Sequence, residues 1–250
     1  MKLLLSCMQC VQNMLGDESN ATFTNADLST HCTVVEMQDN NVYRSTCPSG
    51  HENVIHVQNQ KFELLFDSGA LALLDGYPRE AVSSLAASLE RFYEFFIRVK
   101  LGRRKAPHDA LAKTWKLVRS QSERQLGAFL FLYLLENNKV INFDIQKYTE
   151  FRNKVIHQGY IPSTQEVIDV AEQMLAFMRD VLDELQAEDQ EIVHEMFFQE
   201  ATKVAVSNTN NAKIATAAIP TILGLHIAQE SRPKTFADAL AGLRRWRPYG

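Results

Sequence analysis

The sequence predicts a mainly α protein, a helical bundle preceded by a small β module of zinc-ribbon type. Three observations carry that expectation. All four cysteines, Cys7, Cys10, Cys32 and Cys47, fall in the first fifth of a 250-residue chain. Between them run short stretches rich in Thr, Val and Tyr, residues that suit a pleated strand. From Gln60 onward, apolar residues recur at helical spacing and are punctuated by glycine and proline.

With 46% hydrophobic and 22% charged residues, the composition is that of a globular chain long enough to bury a real core. A formal net charge of -4 excludes a globally basic nucleic-acid binder but leaves room for a local basic patch. No apolar run approaches the roughly 20 residues of a membrane span. The start, Met1 to Cys7, has the outline of a lipoprotein signal. Its apolar stretch is only Leu3 to Leu5, against the roughly 7–15 residues such a signal needs. It reads instead as a strand entering a metal knuckle of a cytoplasmic protein, where thiols stay reduced and bind metal more often than they cross-link.

The first module spans residues 1–58. Cys7-Met8-Gln9-Cys10 is a C-x2-C pair, and His51 follows Cys47 by four positions, with Gly50 allowing a tight turn. Two such turns separated by strands at Thr33–Met37 and Asn41–Ser45 are the plan of a zinc ribbon. Tetrahedral zinc needs four N or S donors, and Cys7, Cys10, Cys47 and His51 supply them; Cys32 is the substitute if His51 stands aside. Four protein ligands close the shell, so the ion is structural. The polar segment from Gly16 to Thr30 reads as a loop.

The helical part spans 59–207, with a helical extension over 208–250. Phe62 to Leu74 forms a first helix, stopped at Asp75-Gly76-Tyr77-Pro78. Pro78 opens a second, whose stripe Ala81, Leu85, Leu89, Phe92, Phe96 and Val99 runs to about Lys100. The aromatic run Phe92 to Phe96 belongs to a bundle core. Arg98 to Lys105, the most basic stretch, reads as a solvated loop or a phosphate-contacting patch. Pro107 opens a helix through Arg119. The next, Gln121 to Glu136, is apolar nearly all round from Phe129 to Leu135 and so predicts burial in the core or in a subunit interface. Ser163-Thr164-Gln165-Glu166 opens a long helix with a capping box. The acidic break 187–190 separates it from a further helix over 191–206. Ser207 to Asn211 reads as a loop, and short helices around Pro220 and Pro233 lead to a basic aromatic end.

The chemistry concentrates in Tyr148 to Gly159, a short helix capped by Asn142 or Asp144 and stopped by glycine. At about 100° per residue, Tyr148, Phe151, Val155 and Ile156 form its apolar sector. Arg152 projects into that sector and therefore needs a carboxylate partner, Glu90 for instance, or a polar cleft. Asn153 and His157 are i,i+4 neighbours on one flank. A histidine takes or gives protons near neutral pH, and an arginine fork matches phosphate oxygens. With Asn153 orienting the ring or holding a phosphate oxygen, these residues have the chemistry for RNA cleavage without a metal. One histidine supplies one acid or base, so a second copy completes the pair.

Arg152-Asn153-Lys154-Val155-Ile156-His157 resembles the R-x4-6-H motif of the HEPN family, including the Asn that often follows the Arg. The order of helices over about Gln60 to Gln186 is similar too. The resemblance implies an all-α homodimer with both motifs at the subunit interface. It also implies a metal-independent endoribonuclease acting in phage defence, abortive infection or toxin–antitoxin growth arrest, with RNA as substrate and an antitoxin or regulator as partner. Arg152, Asn153 and His157 become its catalytic residues. Other HEPN proteins only bind nucleotides, RNA or protein partners, which implies a non-catalytic scaffold as the alternative. Some toxin members carry a Tyr two places after the His; that position here is Gly159, so its role does not transfer.

Overall fold

The computed structural model describes residues 1–15, 31–207 and 214–245. The expected loop at 16–30, most of the loop at 207–211 and the end from Trp246 lie outside them. In chain order the elements are β1 (Lys2–Ser6), α1 (Met8–Leu15), β2 (Cys32–Glu36), β3 (Val42–Thr46) and β4 (Glu52–Val57). Then come α2 (Lys61–Leu74), α3 (Pro78–Arg103), α4 (His108–Val118), α5 (Ser122–Asn137), α6 (Ile145–His157) and α7 (Thr164–Ser207). β5 (Ile214–Ala217), a 3-10 turn at Gln229–Ser231 and α8 (Phe236–Arg245) follow. The chain is therefore mainly helical with a small β part ahead of the helices, as expected. No helix among the described residues is long and apolar enough to cross a membrane. The chain divides into two units, Met1–Asn59 with Glu195–Ile219, and Gln60–His194 with Pro220–Gly250.

In the first unit, β1 pairs antiparallel with β2, Leu4 opposite Val34. β3 and β4 form an antiparallel hairpin, Arg44 opposite Val54. Strand alternation sends Leu3 and Leu5 inward and Leu4 outward, and the inward pair joins Tyr43, Ile55 and Val57 in a small core. The segment expected to belong to a helical extension forms β5, which pairs in parallel with β4, Val54 opposite Ile214. Asn59 fastens that end of the strand, its Nδ2 donating to Ile219 O at 2.9 Å while its Oδ1 accepts from Ile219 N at 2.7 Å.

In the second unit, α2 packs along α3 at a distance only glycine permits: a Cβ on Gly69 would stand 2.8 Å from Leu85 Cγ. Rings from four helices then fill the interior. Phe62 meets Phe92 edge-on at 5.5 Å, Tyr93 stacks on Phe129 at 4.7 Å, and Phe177 closes on Phe129 at 5.9 Å. The aromatic run is bundle core, as expected. α5 buries one side within the chain and leaves the other for the subunit-interface alternative. Phe129 and Tyr133 are buried, but Phe131, at 78% exposure, and Leu135, at 61%, face outward.

The basic run is not a loop. Arg98 to Arg103 continue α3, and Lys100 is buried at 1% exposure. Its Nζ lies 2.6 Å from Asp189 Oδ2, while Arg103 Nη1 reaches Asp189 Oδ1 at 3.2 Å and Arg104 Nε reaches Glu136 at 2.6 Å. The acidic break meets these cations, so α7 kinks at Asp189 (φ -126°, ψ 20°) rather than stopping. Replacing Lys100 by Ala is expected to cost about 3 kcal/mol, because it leaves a buried carboxylate with only the half-exposed Arg103. Urea denaturation measures this; a loss below about 1 kcal/mol would mean the pair behaves like a surface one.

Two buried carboxylates on α2 hold the segment after β5. Glu63 Oε1 accepts from Thr221 Oγ1 at 2.7 Å and Asp67 Oδ1 from Ile222 N at 3.0 Å. Burial pushes the Asp67 carboxyl up to about 8; the Ile222 N–H opposes the shift and nearby Glu63 adds to it. The folded protein then holds a proton that the unfolded chain releases near pH 4. Stability is full below that pH and falls as pH rises towards 8. Asp67→Asn keeps an acceptor for Ile222 and has no proton to lose. Its melting temperature is expected to fall less than that of the wild type between pH 5 and 9 in thermal melts.

Candidate functional site

Four of the expected metal ligands converge in the first unit. Cys7 stands where β1 turns into α1, with its N–H on His31 O at 3.0 Å, and Cys10 lies one turn on. Cys47 and His51 close a second turn, in which Gly50 N–H bonds Cys47 O at 2.9 Å and Gly50 takes φ +83°. Their four donor atoms all lie within 4.8 Å of one another. Cys10 Sγ is 3.7 Å from Cys47 Sγ, and His51 Nδ1 is 3.2 Å, 3.6 Å and 3.7 Å from Cys10, Cys47 and Cys7. A tetrahedron with metal–sulfur bonds of about 2.3 Å and metal–nitrogen bonds of about 2.0 Å has sulfur–sulfur edges of about 3.8 Å and sulfur–nitrogen edges of about 3.5 Å. These four distances lie close to those edges, and the Cys10–Cys47 sulfur spacing is far from a disulfide bond.

The three thiols are buried and pack on one another. Burial pushes the Cys10 thiol up to about 11. Burial acts on Cys47 in the same direction, but the N–H groups of His51 and Ser49 outweigh it and bring that thiol down to about 6. Cys32 is elsewhere: it sits opposite Ser6 in the β1–β2 ladder, its Sγ 3.3 Å from Ser6 Oγ. The four converging donors are compatible with a metal site, and His51 rather than Cys32 is the fourth.

The second constellation lies on α6. Asp144, not Asn142, is its N-cap, accepting from Lys147 N at 3.0 Å. At the other end Gly159 takes φ +72°, and the N–H groups of Gln158 and Tyr160 both bond Lys154 O. Arg152 is the hub. Its Nη1 donates to Asn153 Oδ1 at 3.0 Å and lies 3.1 Å from His157 Nε2, while Nη2 is 3.6 Å from Glu90 Oε1. A guanidinium only donates, so His157 Nε2 is the acceptor and the ring carries its proton on Nδ1. The side-chain oxygen of Asn153 accepts from Arg152 Nη1 and so holds the guanidinium.

Arg152 is mostly shielded, with 19% of its side chain exposed, and His157 is open to solvent. Glu90 is the carboxylate that the position of Arg152 demands; burial raises it above the usual range, while Arg152 and Arg91 pull it back. Two clefts flank α6. A narrow one of about 50 Å³ runs beside Glu90, Tyr148 and Arg152, and a larger one of about 180 Å³ opens towards α7 beside Lys147, Phe151, Asp169 and Gln173. Sequence reading missed the second cleft. Its signal is the i, i+3, i+7 spacing of Glu166, Asp169 and Gln173 on α7.

The chain matches no protein-family model, and no curated protein or solved structure matches it significantly.

Proposed function

We propose that the protein is a metal-independent endoribonuclease of the HEPN type, acting as a cytoplasmic homodimer in phage defence, abortive infection or toxin–antitoxin growth arrest. The observation that carries this reading is the single guanidinium nitrogen shared between Asn153 Oδ1 and His157 Nε2 on a solvent-facing helix. A phosphodiester arriving there offers Arg152 better acceptors than an imidazole. Its non-bridging oxygens take the guanidinium, held in plane by Asn153, and Nε2 is released as a base. His157 accepts the proton of the ribose 2′-OH; the 2′ oxygen bonds to phosphorus and the 5′ oxygen leaves. Charge growing on the phosphate is stabilised by Arg152. The leaving oxygen takes its proton from the same histidine of a second copy. Water and metal need not enter this step.

The first unit, on this reading, carries one structural zinc ion. Three sulfurs and one nitrogen at tetrahedral spacing suit zinc, and four protein donors leave no open position for catalysis.

A second reading is a non-catalytic HEPN dimer serving as an RNA-binding or scaffold module, and one observation fits it as well as it fits a dimeric enzyme. α5 exposes Phe131, Leu134 and Leu135, an apolar stripe of the kind that protein contacts cover. The discriminating experiment is a short incubation of RNA with wild-type and His157→Ala protein in excess EDTA. Cleavage by the wild type that the variant lacks supports the enzyme. Intact RNA in both, with a stable dimer, supports the scaffold.

A further inference from the structure

We propose that the cleft between α6 and the first turns of α7 is a subsite for a single nucleobase, and that it selects guanine in single-stranded RNA. The inference rests on the ribonuclease reading and names what that site recognises.

Size is the first argument. Whole cofactors and drug-sized ligands occupy roughly 300–1,000 Å³. A cleft of about 180 Å³ suits one planar ring system. Its walls are the rings of Phe143, Tyr148 and Phe151. Phe143 is locked from behind, stacked on Phe177 at 5.0 Å with planes 8° apart and touching Tyr148 at 5.6 Å. A ring fixed in this way is a ready stacking surface for an unstacked base.

The polar groups then choose among bases. Glu166 is spent: it accepts from Tyr160 Oη at 2.9 and 3.1 Å and from Ser163 N and Oγ at 2.8 Å each. It closes the capping box and forms wall. Asp169 differs. It is exposed, and its Oδ1 accepts from Gln165 Nε2 at 2.7 Å, which leaves lone pairs on the carboxylate, Oδ2 included. Gln173, one turn on, donates Nε2 to Asp169 O at 3.2 Å and keeps a second N–H.

A carboxylate only accepts, so it reads donors. On its Watson–Crick edge guanine sets N1–H beside an N2 amino group, two donors for two carboxylate oxygens. Adenine, cytosine and uracil each set a donor beside an acceptor there, which puts a lone pair against Asp169. The spare N–H of Gln173 suits guanine O6.

Placement ties the cleft to the motif. Phe151 and Arg152 are consecutive on α6, and Lys147 lines the cleft while Lys154 is exposed one turn from His157. A strand crossing the open face of α6 meets both cations on the way. Glu150, the acid on that face, is engaged by Gln146 Nε2 at 3.2 Å.

The test separates binding from cleavage by using full-length His157→Ala protein. Fluorescein-labelled oligouridine RNAs carrying one central G, A or C are titrated and followed by anisotropy. The G oligonucleotide is expected to bind about tenfold tighter than the others. Adding Asp169→Asn, at an exposed position, should erase that preference, and Phe151→Ala should weaken all three. Equal affinities, or a G preference that survives Asp169→Asn, overturns the subsite. The two claims fail separately: wild-type cleavage without guanine preference sinks the subsite alone, whereas guanine-selective binding without cleavage sinks the ribonuclease reading alone.

Discussion

A Cys47→Ser protein is expected to lose its metal and, with it, the fold of the first unit. Structural zinc sites contribute on the order of 10–16 kcal/mol of apparent binding free energy near neutral pH. Whole domains have net stabilities of only about 5–15 kcal/mol. Among the described residues, the cluster that joins the strands of this unit is small, resting on Leu3, Leu5, Tyr43, Ile55 and Val57. The unit is therefore in the range where small domains need a metal or cross-link to fold. Elemental analysis should give one zinc per wild-type chain and close to none per Cys47→Ser chain. Limited proteolysis should then cut within residues 1–59 while the α2–α6 region resists. A variant that holds no metal and is still protected there would show that the core suffices without the ion.

Arg152→Ala is expected to lower RNA cleavage by roughly 10²–10³-fold, the cost of deleting one donor to a developing oxyanion. The fold should tolerate it. Arg152 leaves Glu90 half-buried, but Arg91 remains nearby, and that carboxyl already sits above the usual range. Arg152→Lys should recover only part of the loss, because an ammonium cannot span Asn153 Oδ1 and a phosphate in one plane. Cleavage rates on one RNA, taken beside far-UV circular dichroism, separate the chemistry from misfolding. Equal rates for wild type and Arg152→Ala would remove the guanidinium from the mechanism.

The fold class and much of both constellations were legible in the sequence, for local reasons. Ligand spacing at Cys7/Cys10 and Cys47/His51 reports turns of a few residues, and the structure brings those four donors together. Helix stops at Gly76 and Gly159 and the Ser163–Glu166 box are equally local. Glu90 could be named as the partner of Arg152 because an arginine in an apolar sector demands a carboxylate. The misreadings at β5 and at the basic run depend on distant partners. β5 is a strand only because β4 lies alongside, about 160 positions earlier in the chain. The basic run from Arg98 and the acidic stretch at 187–190 look like loops until each is seen to neutralise the other.

The proposed step has a chemical fingerprint that binding and metal-dependent hydrolysis do not share, and the His157→Ala comparison separates it from a contaminating ribonuclease. Attack by the ribose 2′ oxygen leaves a 2′,3′-cyclic phosphate on one fragment and a 5′-hydroxyl on the other. Metal-dependent nucleases that activate water leave a phosphate on one end and no cyclic product. The most direct measurement is end-group mapping of RNA after incubation with the full-length protein in excess EDTA, beside His157→Ala at equal concentration. The account predicts cyclic-phosphate and 5′-hydroxyl ends with the wild type and intact RNA with the variant. Ends bearing a 5′-phosphate, or identical cleavage by both proteins, would contradict it.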